Sequence, residues 1–401
     1  MHVQHDDQGV TEPQGYRAGA VACGIKEGST KQDLGVIVSD ASATAAAVFT
    51  QNRAAAAPIV LCRERMQAHR ASAIVANSGN ANACNGEQGM SDARTMGAHV
   101  AEKFGLPQED VLVLSTGVIG VPMPMDRVDD GIARVKVERG GGQDFAHAIM
   151  TTDTRMKSCS ISLEIDEVPV RVGGAAKGSG MIHPNMATLL GFLTTDARVE
   201  PVFLREALGA AVAKSFNMIS VDGDTSTNDA VVLLANGAAG GALLHASHPA
   251  ADLFSEALSL LCVDLAKQLV ADGEGARTLI EVQVAGARNA QDARDIARAI
   301  SRSNLVKTAV FGGDPNWGRV ICAAGYAGCD FDAGIATLYL DDVCLFAQGF
   351  GLAYARERAE ALLKQPSVTF RLELGLGDGA ATAWGCDMSY EYVRINAEYT
   401  T

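Results

Sequence analysis

The chain has 401 residues, 48% hydrophobic and 20% charged, a balance that fits a compact folded protein and excludes disordered and fibrous classes. A formal net charge of -14 at pH 7 argues against a nucleic-acid partner, whose phosphates are bound by clustered Lys and Arg. No apolar run approaches the roughly 18 residues that a membrane span needs. Nine cysteines, an odd number with no C-x-x-C pair and no histidine at ligand spacing, read as reduced thiols and not as a metal site. The N-terminal stretch MHVQHDDQGVTEPQ has neither a basic nor an apolar signal region, so a cytoplasmic protein is expected.

Short β-type runs dominate the first part: 34–40, 45–52, 59–64, 72–79 and 111–117, each closed by polar or glycine-bearing turns. Helical spacing of apolar residues appears in 91–104, 201–214 (with Pro201 in the first turn), 252–271 and 289–303. From about 280 onward further strands are expected at 278–286, 307–313, 336–342, 368–374 and 390–399, with a helix near 354–364. The fold class is therefore α/β or α+β. A first domain over 1–280 and a smaller one over 281–401 follow, with no linker-like stretch between them.

Nucleotide, zinc and α/β-hydrolase chemistry lose weight, because no phosphate loop, H-E-x-x-H, G-x-G-x-x-G or G-x-S-x-G motif is present. The most unusual stretch is 173–196, GGAAKGSGMIHPNMATLLGFLTTD, where a glycine-rich run leads into Met-Ala-Thr and then an apolar strand-like run. A threonine hydroxyl is a weak nucleophile unless a base lies within reach, and its own α-amine can serve once the preceding peptide bond is cut. Such a cut asks for a small residue before the threonine, here Ala187, and for a chain whose glycines permit unusual conformations. Taken alone, a glycine-rich loop before a strand is common.

KGSGMIHPNMATLLGFLTTDA closely resembles the processing-site signature of the ornithine acetyltransferase family, also called glutamate N-acetyltransferase, of the acetylated arginine-biosynthesis cycle. The segments GYRAGAVACGIK (15–26), VFTQNRAAAAP (48–58), NSGNANAC (77–84), LSTGVIG (114–120), IMTTDT (149–154), ISVDGDTSTND (219–229), VADGEGA (270–276), FGGDPNWGR (311–319) and YVRINAEYTT (392–401) resemble the same family in the same order.

The resemblance implies a layered αββα sandwich with a smaller C-terminal α/β domain. It implies cleavage between Ala187 and Thr188 into chains 1–187 and 188–401, assembled as α2β2 or higher. Thr188 is then the acetyl-carrying nucleophile, and Thr116 with Gly117 forms the oxyanion hole. Lys177, Glu274, and Thr151 or Thr152 contact substrate, and Asn396 and Thr401 fold back into the pocket. The substrates it implies are N-acetylornithine as donor and glutamate as acceptor, with acetyl-CoA as a second donor in some members; no metal or cofactor is implied.

Lys177 is of the right type to hold a carboxylate or steady a developing negative charge, and Glu274, between two glycines, to receive a cationic amine. On residues alone, Lys177 reads as a surface lysine and Glu274 as a solvated acid capping the end of the helix over 252–271. His183 reads as a loop residue, and the Asp/Thr-rich 221–229 as a polar, self-hydrogen-bonded turn. Two other readings are a self-processing aminopeptidase or amidase, with water as acceptor, and a non-catalytic binding relative that stays uncut.

Overall fold

A computed structural model describes every residue except 1, 6–7, 27, 184–188, 354–355 and 399–401. The strands in chain order are β1 (Tyr16–Val21), β2 (Leu34–Phe49), β3 (Arg70–Asn77), β4 (Val111–Ser115), β5 (Lys157–Ile165), β6 (Val168–Lys177), β7 (Leu190–Val199), β8 (Ile219–Ser220) and β9 (Ala230–Leu244). They are followed by β10 (Leu279–Ala287), β11 (Thr337–Leu340), β12 (Val343–Ala347), β13 (Phe350–Gly351), β14 (Ser367–Glu373) and β15 (Gly379–Cys386). The helices are α1 (Ala57–Arg65), α2 (Gly86–Phe104), α3 (Met125–Arg134), α4 (Gly142–Ala148), α5 (Pro201–Lys214) and α6 (Ala251–Ala271). The second half adds α7 (Ala290–Arg302), α8 (Asn304–Phe311), α9 (Trp317–Gly325), α10 (Arg356–Leu362) and α11 (Tyr390–Glu398).

One long strand creates the layering. The early part of β2 pairs with β1 and β3; after a register shift between Val38 and Ala43, residues 44–49 pair with β9. The resulting sheet runs β4-β3-β2-β9-β7-β6-β5, with β1 also on β2. Successive side chains on a strand point to opposite faces, so each half of this sheet has an inner and an outer face. Ile37, Ile74, Leu112 and Leu114 from one half share a buried cluster with Phe192, Val232 and Leu234 from the other. Phe145 of α4 closes that cluster, edge-on to Phe192 with ring centroids 4.9 Å apart.

The outer faces are covered by helices. Val36, Val38, Val75 and Val113 pack on α2 and α3 through Met96, Val100, Val128 and Ile132. Ile161, Val172, Leu193 and Leu233 pack on α5 and α6 through Leu204, Leu208, Leu258 and Leu261. Helix, half-sheet, half-sheet, helix is the αββα order.

The second sheet, β13-β12-β11-β14-β10-β15-β8, shares the α5/α6 cluster, so apolar packing is continuous between the two sheets. Helix α7 contributes Ile296 and Ile300 to that packing. It starts where Asn289 accepts hydrogen bonds from the backbone N–H groups of Gln291 and Asp292, a side-chain cap that supplies acceptors to otherwise unbonded donors.

Three segments expected as strands are helices. Residues 59–64 lie in α1, which has Pro58 in its first turn; 307–311 lie in α8, capped by the Ser303 hydroxyl; and 390–398 form α11. The first two are short apolar runs, whose period cannot separate a strand from a buried helix turn, while the third mixes apolar with charged residues and buries none of them. The run 34–40 and residues 45–49 of the run 45–52 belong to one strand rather than two, and 50–52 lie beyond its end. Among the described residues no helix is long and apolar enough to cross a membrane.

Candidate active site

Lys177, the last residue of β6, pairs with Leu190, the first of β7, and Leu190 pairs in turn with Ala230 of β9. Residues 178–189 thus connect two antiparallel strands that remain paired to their ends. The start of this connection is held by backbone donors. Gly178 N–H donates to Asp153 at 2.7 Å, and Met181 and Ile182 N–H donate to Asp222 at 2.5 and 2.9 Å. Gly180 passes so close to Glu274 that a Cβ there would lie 2.4 Å from its carboxyl carbon, so any side chain at 180 would require the Glu274 carboxylate to move.

A pocket opens beside this connection, and Thr116, Gly117, Thr151, Thr152, Lys177, Glu274 and Asn396 all line it. The fold therefore gathers seven of the ten residues singled out from the sequence. Ala187, Thr188 and Thr401 lie outside the described residues.

Thr116 and Gly117 follow β4, with Thr116 N–H donating to Asn77 O at 2.9 Å. Gly117 has φ +133°, and a Cβ there would lie 2.3 Å from the carbonyl carbon of Gly79 and 2.5 Å from Asn80 N. A side chain at this position would push the turn off its neighbour. Lys177, only 8% exposed, donates from Nζ to Thr116 Oγ1 at 3.1 Å and Thr151 Oγ1 at 2.9 Å. Burial lowers its pKa, and Lys157 adds to that; Asp153, Asp229 and Glu274 oppose it. Thr152 Oγ1 shares a hydrogen bond with Ser179 Oγ at 2.6 Å. Glu274 N–H donates to Ser179 O at 2.8 Å, and Asn396 Nδ2, from α11, donates to Glu274 Oε2 at 2.7 Å.

Behind the pocket is a network that sequence reasoning missed. Buried Lys157 donates to Asp153 and, at 2.6 Å, to Asp272. Asp153 also accepts from Thr151 N–H at 3.0 Å, and Asp272 from the N–H groups of Thr154 at 2.9 Å and Arg155 at 3.2 Å. Burial works against the charge of Asp153, but Lys177 and Lys157 outweigh it and hold its pKa down at about 2. One cation thus ties the loop bearing Thr151 and Thr152 to the loop bearing Glu274. A lysine four residues from an aspartate carries no signal of this in the sequence. Asp229, also on the pocket wall, was missed as well, read as part of a polar turn.

That turn is present, with Asp224 N–H donating to Asp222 at 3.2 Å and Asn228 N–H to Ser226 Oγ at 3.1 Å. Among the described residues no group of three or more His, Cys, Asp or Glu could hold a metal ion. His183 is buried but is not among the residues lining the pocket; Thr225 Oγ1 donates to its carbonyl at 2.9 Å. Burial, with Arg298 and Arg302 nearby, lowers its pKa to about 4, so the ring is neutral at pH 7.

The pocket thus offers a buried cation, hydroxyls from two loops, a glycine whose backbone can be approached closely, and a carboxylate at its mouth. This is suited to a substrate with both anionic and cationic ends and to stabilising negative charge on a carbonyl oxygen.

Comparison with known proteins bears on the whole chain. The ArgJ family model matches residues 17–401. The arginine biosynthesis bifunctional protein ArgJ of Symbiobacterium thermophilum is 50% identical over 396 residues, 98% of each chain. Its namesake from Bacillus subtilis is 46% identical over 393 residues, 98% of this chain and 96% of the relative. A crystal structure of the ArgJ protein of Bacillus halodurans, 47% identical, superposes with a TM-score of 0.52 over 53% of this chain and 100% of that one. Similar almost from end to end to proteins of that name, the chain belongs to the ArgJ family.

Proposed function

We propose that this acetyltransferase of arginine biosynthesis cuts its own backbone between Ala187 and Thr188. The freed threonine then carries acetyl from N-acetylornithine to glutamate. The observation that carries this reading is the convergence of Thr116, Gly117, Thr151, Thr152, Lys177, Glu274 and Asn396 on one pocket beside the 178–189 connection.

In maturation, Thr188 Oγ attacks the Ala187 carbonyl carbon, its proton passes to the Thr188 nitrogen as the C–N bond breaks, and water hydrolyses the resulting ester. Both new ends belong to a connection between paired strands, so β6 and β7 hold the two chains together after the cut. The Bacillus halodurans chain supports this reading by its size, because residues 188–401 are the same share of 401 that it matches.

In catalysis the free α-amine of Thr188 takes the hydroxyl proton as Oγ bonds to the acetyl carbon. The Thr116 hydroxyl and Gly117 N–H receive the oxyanion, and Lys177, bonded to Thr116, adds positive charge beside it. Ornithine leaves with the proton, and glutamate takes the acetyl group by the reverse sequence. Glu274 receives the cationic end of ornithine. Acetyl-CoA, as the donor of a second activity, would load the same threonine. Chains 1–187 and 188–401 assemble as α2β2 or higher.

Intact mass spectrometry of the wild-type protein and of Thr188→Ala, before and after exposure to N-acetylornithine, tests the reading. The expected result is two wild-type fragments split at 187/188, an uncut mutant, and one acetyl gained on the fragment that begins with Thr188. An uncut, unlabelled wild-type chain would remove both the cleavage and the covalent intermediate.

A further inference from the structure

The pocket has an apolar wall to which the mechanism above gives no task. Ala81, Ile119 and Leu190 line it beside the charged and hydroxyl-bearing residues. All three also take part in the packing between the two half-sheets. Ala81 and Leu190 are members of the buried cluster around Phe192 and Leu234, and Ile119, half-buried, packs against it. At this wall the pocket therefore ends on the inner core of the sandwich. Protein cores are close-packed, so a group pushed into the wall finds no free space behind it.

Backbone hydrogen bonds on both sides of Ile119 fix this wall. Ala81 N–H donates to Val118 O at 2.9 Å, and Gly120 N–H donates to Ala83 O at 3.0 Å. Ala81 O in turn accepts from the Asn228 side chain at 2.6 Å, and the same amide donates to Ser115 O at 2.9 Å. Leu190 is held by strand pairing to Lys177 on one side and Ala230 on the other. The turn that carries Thr116 and Gly117 is thus tied to the apolar wall, and the two cannot spread apart without breaking these bonds.

We propose that Ala81, Ile119 and Leu190 form the acyl subsite and that Ile119 restricts the transferred group to acetyl, an inference that rests on the acetyl transfer and the oxyanion placement proposed above. An acyl carbon has three substituents in one plane. Its oxygen goes to Thr116 and Gly117, and its nitrogen carries the charged ornithine toward Lys177 and Glu274. The third substituent, the methyl, is left with the apolar wall or with the polar side formed by 226–229. Standard bond lengths put that methyl roughly 2.4 Å from the carbonyl oxygen, so it stays beside the turn on which Ile119 follows Gly117 by two residues. A methyl needs no hydrogen bond and gains by leaving water, whereas either charged end of ornithine would lose its solvation against Ile119 and Leu190. Each further methylene would have to displace Ile119 or enter the closed core behind it.

The experiment measures kcat/KM of wild type and Ile119→Ala with N-acetyl-, N-propionyl- and N-butyrylornithine. A ratio between two substrates on one preparation cancels the fraction of active enzyme, so a folding or maturation defect cannot imitate the effect. One methylene in a tight apolar pocket is worth about 10- to 200-fold, so wild type should prefer acetyl to propionyl by about 10-fold or more, and to butyryl by a wider margin. Ile119→Ala, which shortens the side chain to a single methyl, should shift the butyryl-to-acetyl ratio toward butyryl by roughly 10- to 100-fold. If Ile119→Ala does not fold, Ile119→Val removes one methyl and should shift the propionyl-to-acetyl ratio a few-fold in the same direction. Equal use of the three acyl groups by wild type overturns the proposal, and so does an unchanged acyl preference in the folded variant. A wild-type chain that turns over none of the three would instead defeat the acetyl-transfer reading itself, and this inference with it, before any variant is made.

Discussion

Two buried lysines stand side by side at one end of the eight-stranded sheet and mark off two different regions. Lys157 opens β5 and pairs in register with Ala176, the neighbour of Lys177 at the end of β6. Lys157 is 1% exposed and spends its charge on two carboxylates, Asp153 and Asp272. Lys177 faces the pocket, and its hydrogen bonds go to the hydroxyls of Thr116 and Thr151. A buried cation between carboxylates is a tie between loops; a buried cation bonded to neutral hydroxyls keeps charge available for a ligand. The difference lies in their partners and not in their burial.

The sharpest way to break the comparison is Lys157→Met. It leaves two carboxylates buried together, and loss of one partner from such a network costs about 3–5 kcal/mol. Chemical denaturation of the variant against wild type measures this. Asp153 also gives the network an acid limit. Its folded pKa of about 2 lies below the roughly 3.9 of an unfolded aspartate, so its contribution is complete above about pH 4. It is lost as the pH falls through about 2. Wild type should hold its network through mild acid and lose it only toward pH 2.

Lys177→Met should give the opposite signature. Two threonine hydroxyls lose a donor, and Asp153 loses the nearby charge of Lys177 but keeps its direct ion pair with Lys157, so stability should fall by less than in Lys157→Met. Turnover should fall about 10²- to 10³-fold, the scale of one lost oxyanion-stabilising group. Steady-state kinetics on protein already shown to be cut by intact mass separates this from a failure to mature. Equal losses of stability in the two lysine variants would erase the distinction.

How far this contrast was legible beforehand depends on what each residue does locally. Helix α5 shows itself through Pro201 and its apolar spacing, and the resemblance singled out Lys177, Thr116 and Glu274. Lys157, Asp153 and Asp272 could not be found that way, because their meaning arises when β5, β6 and the end of α6 are brought together. Asp229 was hidden differently, inside a run of Asp and Thr that does form a turn while one carboxyl of it faces the pocket. Two of the misread segments, 59–64 and 307–313, are short apolar runs whose helical state depends on what they pack against, whereas 390–399 carries Glu391, Arg394, Asn396 and Glu398 and its helix buries no residue.

The smallest effect should come from the pocket's mouth, at the C-terminal helix. Asn396 is exposed, yet its Nδ2 donates both to Glu274 Oε2 at 2.7 Å and to Tyr392 O at 3.0 Å, within its own helix. One hydrogen bond to a partly solvated carboxylate contributes about 1 kcal/mol, so Asn396→Ala should raise KM for N-acetylornithine a few-fold with little change in kcat or in cleavage. Deleting the last six residues should cost far more than this one side chain if the rest of the tail also contributes to binding. If the deletion and Asn396→Ala give the same KM, the contact with Glu274 is all that the tail supplies, and a wild-type KM in both would place the tail outside substrate binding.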